Sequence, residues 1–435
     1  MQERNHRWNL VDRKWLRSLL RRSEGRAVTE LAMIDNPGFL KLDLVIRGMK
    51  ISRESLDSPE IARALRLSHE TGTGLELDIV LPDDVVVNIP VLECLAEEKP
   101  YSLVKEGDGF SIHSESGEAV EVWLAPTPEY YDRKTTSGVP MVRIGRTYGG
   151  YLTLSPNPLC EFIDDNLACH YCDLSARNHR VWTVDEVLET VEAALSEGAA
   201  EYICLNVGYT RSPDGGIGML EPYIRAVKKR FDVQVCVQAQ PPAVDHWIDS
   251  SYAMGIDSIA YNLEVYDPER FEEIAPGKMQ VVGRERYFSA LKHAAKIFPS
   301  GAVVSNLIIG AESVASTMKG IDMLTALGVI PTLPIYRLGL SASTDASTAA
   351  ETITPIYRHL SEALKRNRLS PMLISHFNLA FNAIEGEYFG GEAPIKGRWE
   401  TVFKSKRGVR LAANLSRFRR RLRVRPADDD LSEGH

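Results

Sequence analysis

Cys160, Cys169 and Cys172 form a Cys-x8-Cys-x2-Cys run, with Tyr171 directly before the last thiol, in a chain that has three other cysteines, Cys94, Cys204 and Cys236. A closed structural zinc site or an ordinary ferredoxin-type cluster takes four protein ligands, so three thiolates leave one metal position open to another molecule. An open position is where chemistry takes place. The trio alone has other readings: His170 or His179 could complete a Cys3His zinc site, and three buried free thiols are the plainest case. Cys204 and Cys236 fall inside apolar runs, where a cysteine serves as a small apolar side chain.

The elements that must position these thiols follow from the pattern around them. Tyr151 to Leu154 reads as a strand ahead of the cysteines. After them Thr183, with Glu186 three residues on, forms a capping box before Val184, Val187, Leu188, Val191 and Leu195, which share one helical face. The alternation then runs on: strand Tyr202 to Leu205, helix Pro222 to Phe231, strand Val233 to Val237, helix Ala243 to Met254, strand Ser258 to Asn262, helix Arg284 to Ile297. Strand Val303 to Ile309, helix Ser316 to Leu327, strand Val329 to Ile335 and helix Ala346 to Lys365 complete it. About six strand–helix units imply a parallel sheet, open or curled into a partial barrel. In either form ligands sit at the carboxyl ends of the strands. The residues placed there are the cysteine loop, Asn206 to Tyr209, Gln238 and Gln240, Asn262 and Glu264, Gly310 to Glu312, and Tyr336 with Arg337.

Several segments, taken in order, resemble the radical S-adenosylmethionine superfamily. Cys169-His170-Tyr171-Cys172 is similar to that family's Cys-x-aromatic-Cys ending. Tyr261-Asn262-Leu263-Glu264-Val265, Ala275-Pro276-Gly277-Lys278 and Asn306 to Glu312 are similar to the lipoyl synthase and biotin synthase branch. The resemblance covers roughly Tyr148 to Leu340. It implies that the three cysteines each hold one iron of a [4Fe-4S] cluster, whose fourth iron takes the amino and carboxylate groups of S-adenosylmethionine. One-electron reduction would then release methionine and a 5′-deoxyadenosyl radical.

Further roles are carried over by the same resemblance. Tyr171 stands beside the cluster. Asn206 to Gly208 occupies the place of a segment that receives the methionine amino group, without its acidic residue. Asn262 and Glu264 match the strand that meets the ribose hydroxyls, and Gly310 with Glu312 matches the strand end beside the adenine. Gln240 and Arg337 join the cofactor-binding set by position, Arg337 as a carboxylate or phosphate clamp. Each has a structural reading too: a salt-bridged carboxylate for Glu264, a helix cap for Glu312, an ion pair for Arg337. The first spacing departs from the family's usual Cys-x3-Cys, and five added residues in a loop cost about 1 kcal/mol or less.

No ligand set for a second cluster is visible, so sulfur insertion is not expected. Hydrogen abstraction from a small metabolite or cofactor precursor, leading to rearrangement, cleavage, group transfer or methylation, remains. An electron donor such as flavodoxin or ferredoxin is the implied partner. The reading from another class is a non-catalytic zinc or iron-sulfur binding protein.

Length and composition set the frame. The 435 residues, 44% hydrophobic, suffice for a large core and more than one domain. No apolar run has membrane-spanning length and no secretory signal is evident, so a cytoplasmic setting that keeps thiols reduced is expected. The net charge of −8 gives no general attraction to nucleic acid. The expected architecture is α/β: an N-terminal α+β accessory domain over 1–147, a partial (β/α)6 TIM-type barrel over 148–365, and a C-terminal helical extension over 366–435. Asn9 to Arg22 reads as a basic helix, and Gly109 to His113 with Val120 to Leu124 as a hairpin. Lys404 to Arg425, with ten basic residues and no acidic one, reads as a helix packed on the barrel with its basic face solvated. Phe377 to Phe389 connects the barrel to this tail.

Overall fold

The structure is a computed structural model that describes residues 34–70, 76–91, 101–172, 180–335, 346–371, 385–390 and 418–420. Arg337, Tyr336, Cys94, His179 and the Asn9–Arg22 segment lie outside the described residues, as do most of Phe377 to Phe389 and of Lys404 to Arg425.

Two sheets organise the chain. The first holds β1 (Lys50–Ile51), β2 (Glu76–Leu81), β3 (Val85–Pro90), β4 (Tyr101–Glu106), β5 (Gly109–Ser114) and β6 (Ala119–Leu124), in the order β1-β4-β5-β6-β2-β3. Its strands pair antiparallel except for β1 with β4. Leu77, Ile79 and Leu81 of β2 and Val85, Val87 and Ile89 of β3 point to one buried face, the period-2 signature of a sheet covered on one side. The expected hairpin is β5 and β6. Helices α1 (Pro37–Arg47) and α2 (Pro59–Glu70) accompany this sheet. Asn36 caps α1 by accepting from the Gly38 and Phe39 amides, with Pro37 at the first position.

The second sheet has seven strands in sequence order: β7 (Gly145–Tyr148), β8 (Tyr151–Asn157), β9 (Tyr202–Val207), β10 (Gln234–Gln238), β11 (Ser258–Ala260), β12 (Val303–Asn306) and β13 (Ile330–Thr332). β8 to β13 are all parallel, and β7 pairs antiparallel with β8 at one edge. β7 starts slightly ahead of the expected domain boundary. Pro331 falls in β13, an edge strand, where its missing N–H is tolerated.

Between the strands lie α3 (Val184–Ser196), α4 (Ile217–Arg230), α5 (His246–Met254), α6 (Pro268–Ile274), α7 (Arg284–Ile297) and α8 (Val314–Ala326); α9 (Ala346–Asn367) follows β13. Thr183 and Glu186 form the expected capping box on α3. One face of each strand is core: Ile203, Leu205 and Val207, then Val235 and Val237, are buried among the helices. The other face carries Cys204, Asn206, Cys236, Gln238 and Ser258, and it turns away from the helix layer.

Candidate functional site

The cysteine loop leaves the carboxyl end of β8 and is pinned from two sides. On one side the Glu161 amide donates to the Tyr209 carbonyl at 2.9 Å, and the Phe162 ring stacks on Tyr209 with centroids 4.0 Å apart. Gly208 is needed there, because a Cβ on it would stand 2.3 Å from the Leu159 carbonyl oxygen and 2.7 Å from Cys160 Cβ. On the other side the His170 amide donates to the Ile274 carbonyl at 2.9 Å and the Gly277 amide to that of Leu167 at 3.2 Å. A Cβ on Gly277 would meet the Phe162 ring at 2.6 Å. The two glycines thus let the end of β9 and the turn after α6 close on the loop. Between Cys169 and Cys172 the backbone turns tightly, the Cys172 amide donating to the Cys169 carbonyl at 3.1 Å.

All three cysteines are free thiols; Cys160 and Cys169 are half-buried and Cys172 is exposed. Burial pushes the Cys169 thiol above its ordinary range, while Lys278 and a hydrogen bond with Tyr171 pull it back down; Cys172 and Glu264 add repulsion. Tyr287, fully buried and raised well above the usual tyrosine range first by burial, also feels Cys169, Glu264 and Cys160. The thiols therefore share one electrostatic neighbourhood with Glu264, Lys278, Tyr171 and Tyr287. Among the described residues no three His, Cys, Asp or Glu side chains converge to hold a single metal ion. A four-iron cluster asks for no such convergence, since each thiolate holds a different iron.

Glu264 sits in this neighbourhood with a backbone strain that its sequence position does not announce and with the salt bridge that is its structural reading. Its φ is 71°, a left-handed conformation that strains a non-glycine residue by about 1–3 kcal/mol. Its backbone nonetheless joins the sheet, donating to the Asn306 carbonyl and accepting from Ile308, each at 2.7 Å. Its carboxylate is buried and accepts from Lys278 Nζ at 3.1 Å. Lys278, itself buried, also donates to the Asn262 carbonyl at 2.8 Å and lies over the rings of Tyr171 and Tyr287 at 5.8 and 5.6 Å. It opens a wide turn, Lys278–Val282, of the kind that often marks functional sites.

The remaining expected residues divide. Asn206 donates to Thr153 Oγ1 at 2.7 Å, Asn262 accepts from the Asn306 amide at 3.2 Å, and Gln240 accepts from the Tyr287 hydroxyl. Gly310 has a φ of 89° and is exposed. Glu312, expected beside the adenine, is engaged by the protein itself. Its two oxygens accept from the Tyr266 and Asp267 amides at 3.1 and 2.7 Å and from Ser316 and Thr317 at 2.7 and 3.4 Å. These contacts let the carboxylate staple the loop before α6 to the start of α8, although the Thr317 hydroxyl shares its one proton with the Ser313 carbonyl at 3.3 Å. The sequence places Gln238 at a ligand-facing strand end without a role, and it gives Lys278, Tyr287 and Asn306 no binding role. A polar residue at the last inward position of each apolar strand is the signal that points to Gln238 and Asn306.

No protein-family model matches the chain. Over 107 residues it is 26% identical to bacteriochlorophyllide c C-7(1)-hydroxylase of Chlorobaculum limnaeum, a stretch that is 24% of this chain and 27% of that enzyme. The chain thus matches about a quarter of that relative's length. Among solved structures, methylornithine synthase aligns with 14% identity and a TM-score of 0.39, over 58% of this chain and 74% of that one. The FeFe-hydrogenase maturase of Carboxydothermus hydrogenoformans aligns with 16% identity and a TM-score of 0.40, over 49% and 52%. A radical SAM methyltransferase from Sphaerobacter thermophilus aligns with 14% identity and a TM-score of 0.29, over 57% and 81%. Superpositions at these scores say nothing about activity. In its cysteine segment, and in the order of the strand-end segments that follow, the chain is similar to the radical S-adenosylmethionine enzymes.

Proposed function

We propose that the chain is a radical S-adenosylmethionine enzyme acting on a small molecule, built on a partial (β/α)6 barrel with an N-terminal α+β accessory domain and a C-terminal helical extension. The observation that carries this reading is the gathering of Cys160, Cys169 and Cys172 with Tyr171, Glu264 and Lys278 at the carboxyl ends of the parallel strands. The residues present fit a [4Fe-4S] cluster and S-adenosylmethionine. The three thiols, none of them in a disulfide, would supply one ligand each to three irons, and the close approach of Gly208 leaves room for Cys160. When bound, the pair supplies reductive cleavage to a 5′-deoxyadenosyl radical, with the electron from a small carrier such as flavodoxin or ferredoxin.

The chain's own side chains bind and orient. Lys278 places one positive charge near the Cys169 thiol, which favours its thiolate where burial alone would oppose ionisation. Asn206, Gln240, Asn262, Glu264 and Gly310 lie at or just beyond strand ends, where carboxamide and carboxylate groups hydrogen-bond an amino acid and a ribose. Glu264 does so as the partner of Lys278, so its charge is held in place before any ligand arrives. Arg337 stays in the proposal by sequence position alone. No described helix is long and apolar enough to cross a membrane; a cytoplasmic setting is part of the proposal and rests on the need for reduced thiols.

Anaerobic reconstitution with iron and sulfide, followed by reduction, tests the reading. The expected result is a brown protein whose electron-paramagnetic signal shifts when S-adenosylmethionine is added. A colourless protein, or a signal indifferent to S-adenosylmethionine, would overturn it.

A further inference from the structure

The inward face of the parallel sheet carries a row of carboxamides of which two, Gln238 and Asn306, have no part in the cofactor set. Asn206 of β9 is registered with Gln238 of β10, and Asn306 of β12 with Thr332 of β13. Asn262 follows β11 and lies between them. The side chains touch from strand to strand across the sheet. Asn206 donates to Thr153 at 2.7 Å, Asn262 to Gln238 at 3.4 Å, and Thr332 to Asn306. Asn206, Gln238, Asn262 and Asn306 are all half-buried, whereas Ile203, Leu205, Val235, Val237 and Ile259 of the same strands are buried. The row therefore faces accessible space.

Two members of the row are poorly satisfied. Gln238 donates to the Cys204 sulfur at 3.7 Å, and its carbonyl accepts only a long contact from Asn262, 3.4 Å where a good N–H···O bond is near 2.9 Å. The Asn306 side-chain nitrogen has no hydrogen-bond partner among the described residues. Good donors and acceptors in accessible space with weak protein partners are available to a ligand. The row is also uncharged. Among the described residues no charged side chain hydrogen-bonds to any of the four carboxamides, and the neighbouring Lys278 and Glu264 neutralise each other.

We propose that Gln238 and Asn306, the part of this row outside the cofactor set, are the substrate-recognition floor and that they select an uncharged amide- or hydroxyl-bearing molecule over carboxylates and ammonium ions. A carboxamide donates and accepts at once, so a row of them pairs with a group that does the same. A carboxylate offers acceptors only, and an ammonium ion donors only; each would leave either the amide nitrogens or the carbonyls of Gln238 and Asn306 without a partner and bring a charge with no counter-charge. The inference deepens the radical reading by naming a substrate class, and Gln238 and Asn306 lie outside the cofactor set.

Ligand-observed saturation-transfer measurements on the anaerobically reconstituted full chain test it, with succinamide, succinate and 1,4-diaminobutane as probes of similar length. Succinamide should bind at least about tenfold more tightly than the other two. Gln238→Glu and Asn306→Asp should each shift the preference toward 1,4-diaminobutane, a gain that misfolding cannot produce. Equal or tighter binding of succinate or 1,4-diaminobutane to the unchanged protein would overturn the proposal. So would no binding of any probe, or a selectivity indifferent to both substitutions. The same selectivity in a chain that cleaves no S-adenosylmethionine would support the floor and remove only the radical reading.

Discussion

Glu264 and Lys278 are the pair on which the site's electrostatics turn. Both side chains are nearly inaccessible, at 7% and 4% exposure, so neither charge is stabilised by water. Removing one partner of a buried ion pair leaves the other uncompensated, at a cost of about 3–5 kcal/mol. Lys278→Met should therefore destabilise the protein by about that much in urea denaturation, and adding Glu264→Gln should restore part of the loss. Additive effects of the two changes would show that the pair is not coupled. The same pairing sharpens any binding experiment at Glu264. Glu264→Ala is expected to weaken S-adenosylmethionine binding about tenfold to a hundredfold, the value of a hydrogen bond to a charged acceptor. It also releases Lys278, so calorimetry on that variant has to be read beside its unfolding midpoint.

At the scale of elements, α3 shows what local chemistry contributes. Thr183 Oγ1 accepts from the Glu186 amide at 3.2 Å, and Glu186 accepts in return from the Thr183 amide at 2.9 Å and from Arg180 at 2.6 Å. Thr183→Ala should cost about 1 kcal/mol, and a change inside 0.2 kcal/mol in urea denaturation would deny the cap its role. This box was legible in four residues of sequence, as was the strand–helix alternation, because apolar runs and helical periodicity are local properties. α7 runs over Arg284–Ile297 as expected from its pattern. Where the reading slipped, one residue accounts for it. Pro222 suggests a helix start, the position proline favours, yet α4 begins at Ile217, after Gly216 with a φ of 91°, and carries Pro222 within it. The short α6 escaped notice although Asp267 caps it and Pro268 opens it, because seven residues hold too little periodicity to stand out.

At the scale of the whole molecule, the contacts least visible in sequence are those between distant segments. Tyr388 and Phe389 pack on the start of α1: Asn36 donates to the Tyr388 carbonyl at 3.1 Å, and the Phe39 and Phe389 rings meet edge to face at 4.8 Å. A separation of 352 residues leaves no periodicity to read. Arg420 is another case, donating to Asp257 at 2.9 Å and to the Ile256 carbonyl at 3.0 Å beneath β11. Its neighbours Phe418 and Arg419 are exposed, so this described fragment of the basic segment puts one arginine into the fold. The candidate site is legible by contrast in its cysteines, which a motif reveals. The identity of Lys278 as the partner of Glu264, and the contacts that join the carboxamides into a row, are not, since they depend on which side chains the parallel register brings together.

The central claim is that Cys160, Cys169 and Cys172 jointly hold a cluster used on S-adenosylmethionine, and iron content measured beside 5′-deoxyadenosine formation tests it most directly. Reconstituted protein should carry about four irons per chain and form 5′-deoxyadenosine under reduction. Alanine at any one of the three cysteines should abolish both, while alanine at Cys204 or Cys236, buried in β9 and β10, should leave cleavage intact. A variant at position 160, 169 or 172 that keeps full iron and full cleavage would contradict the account.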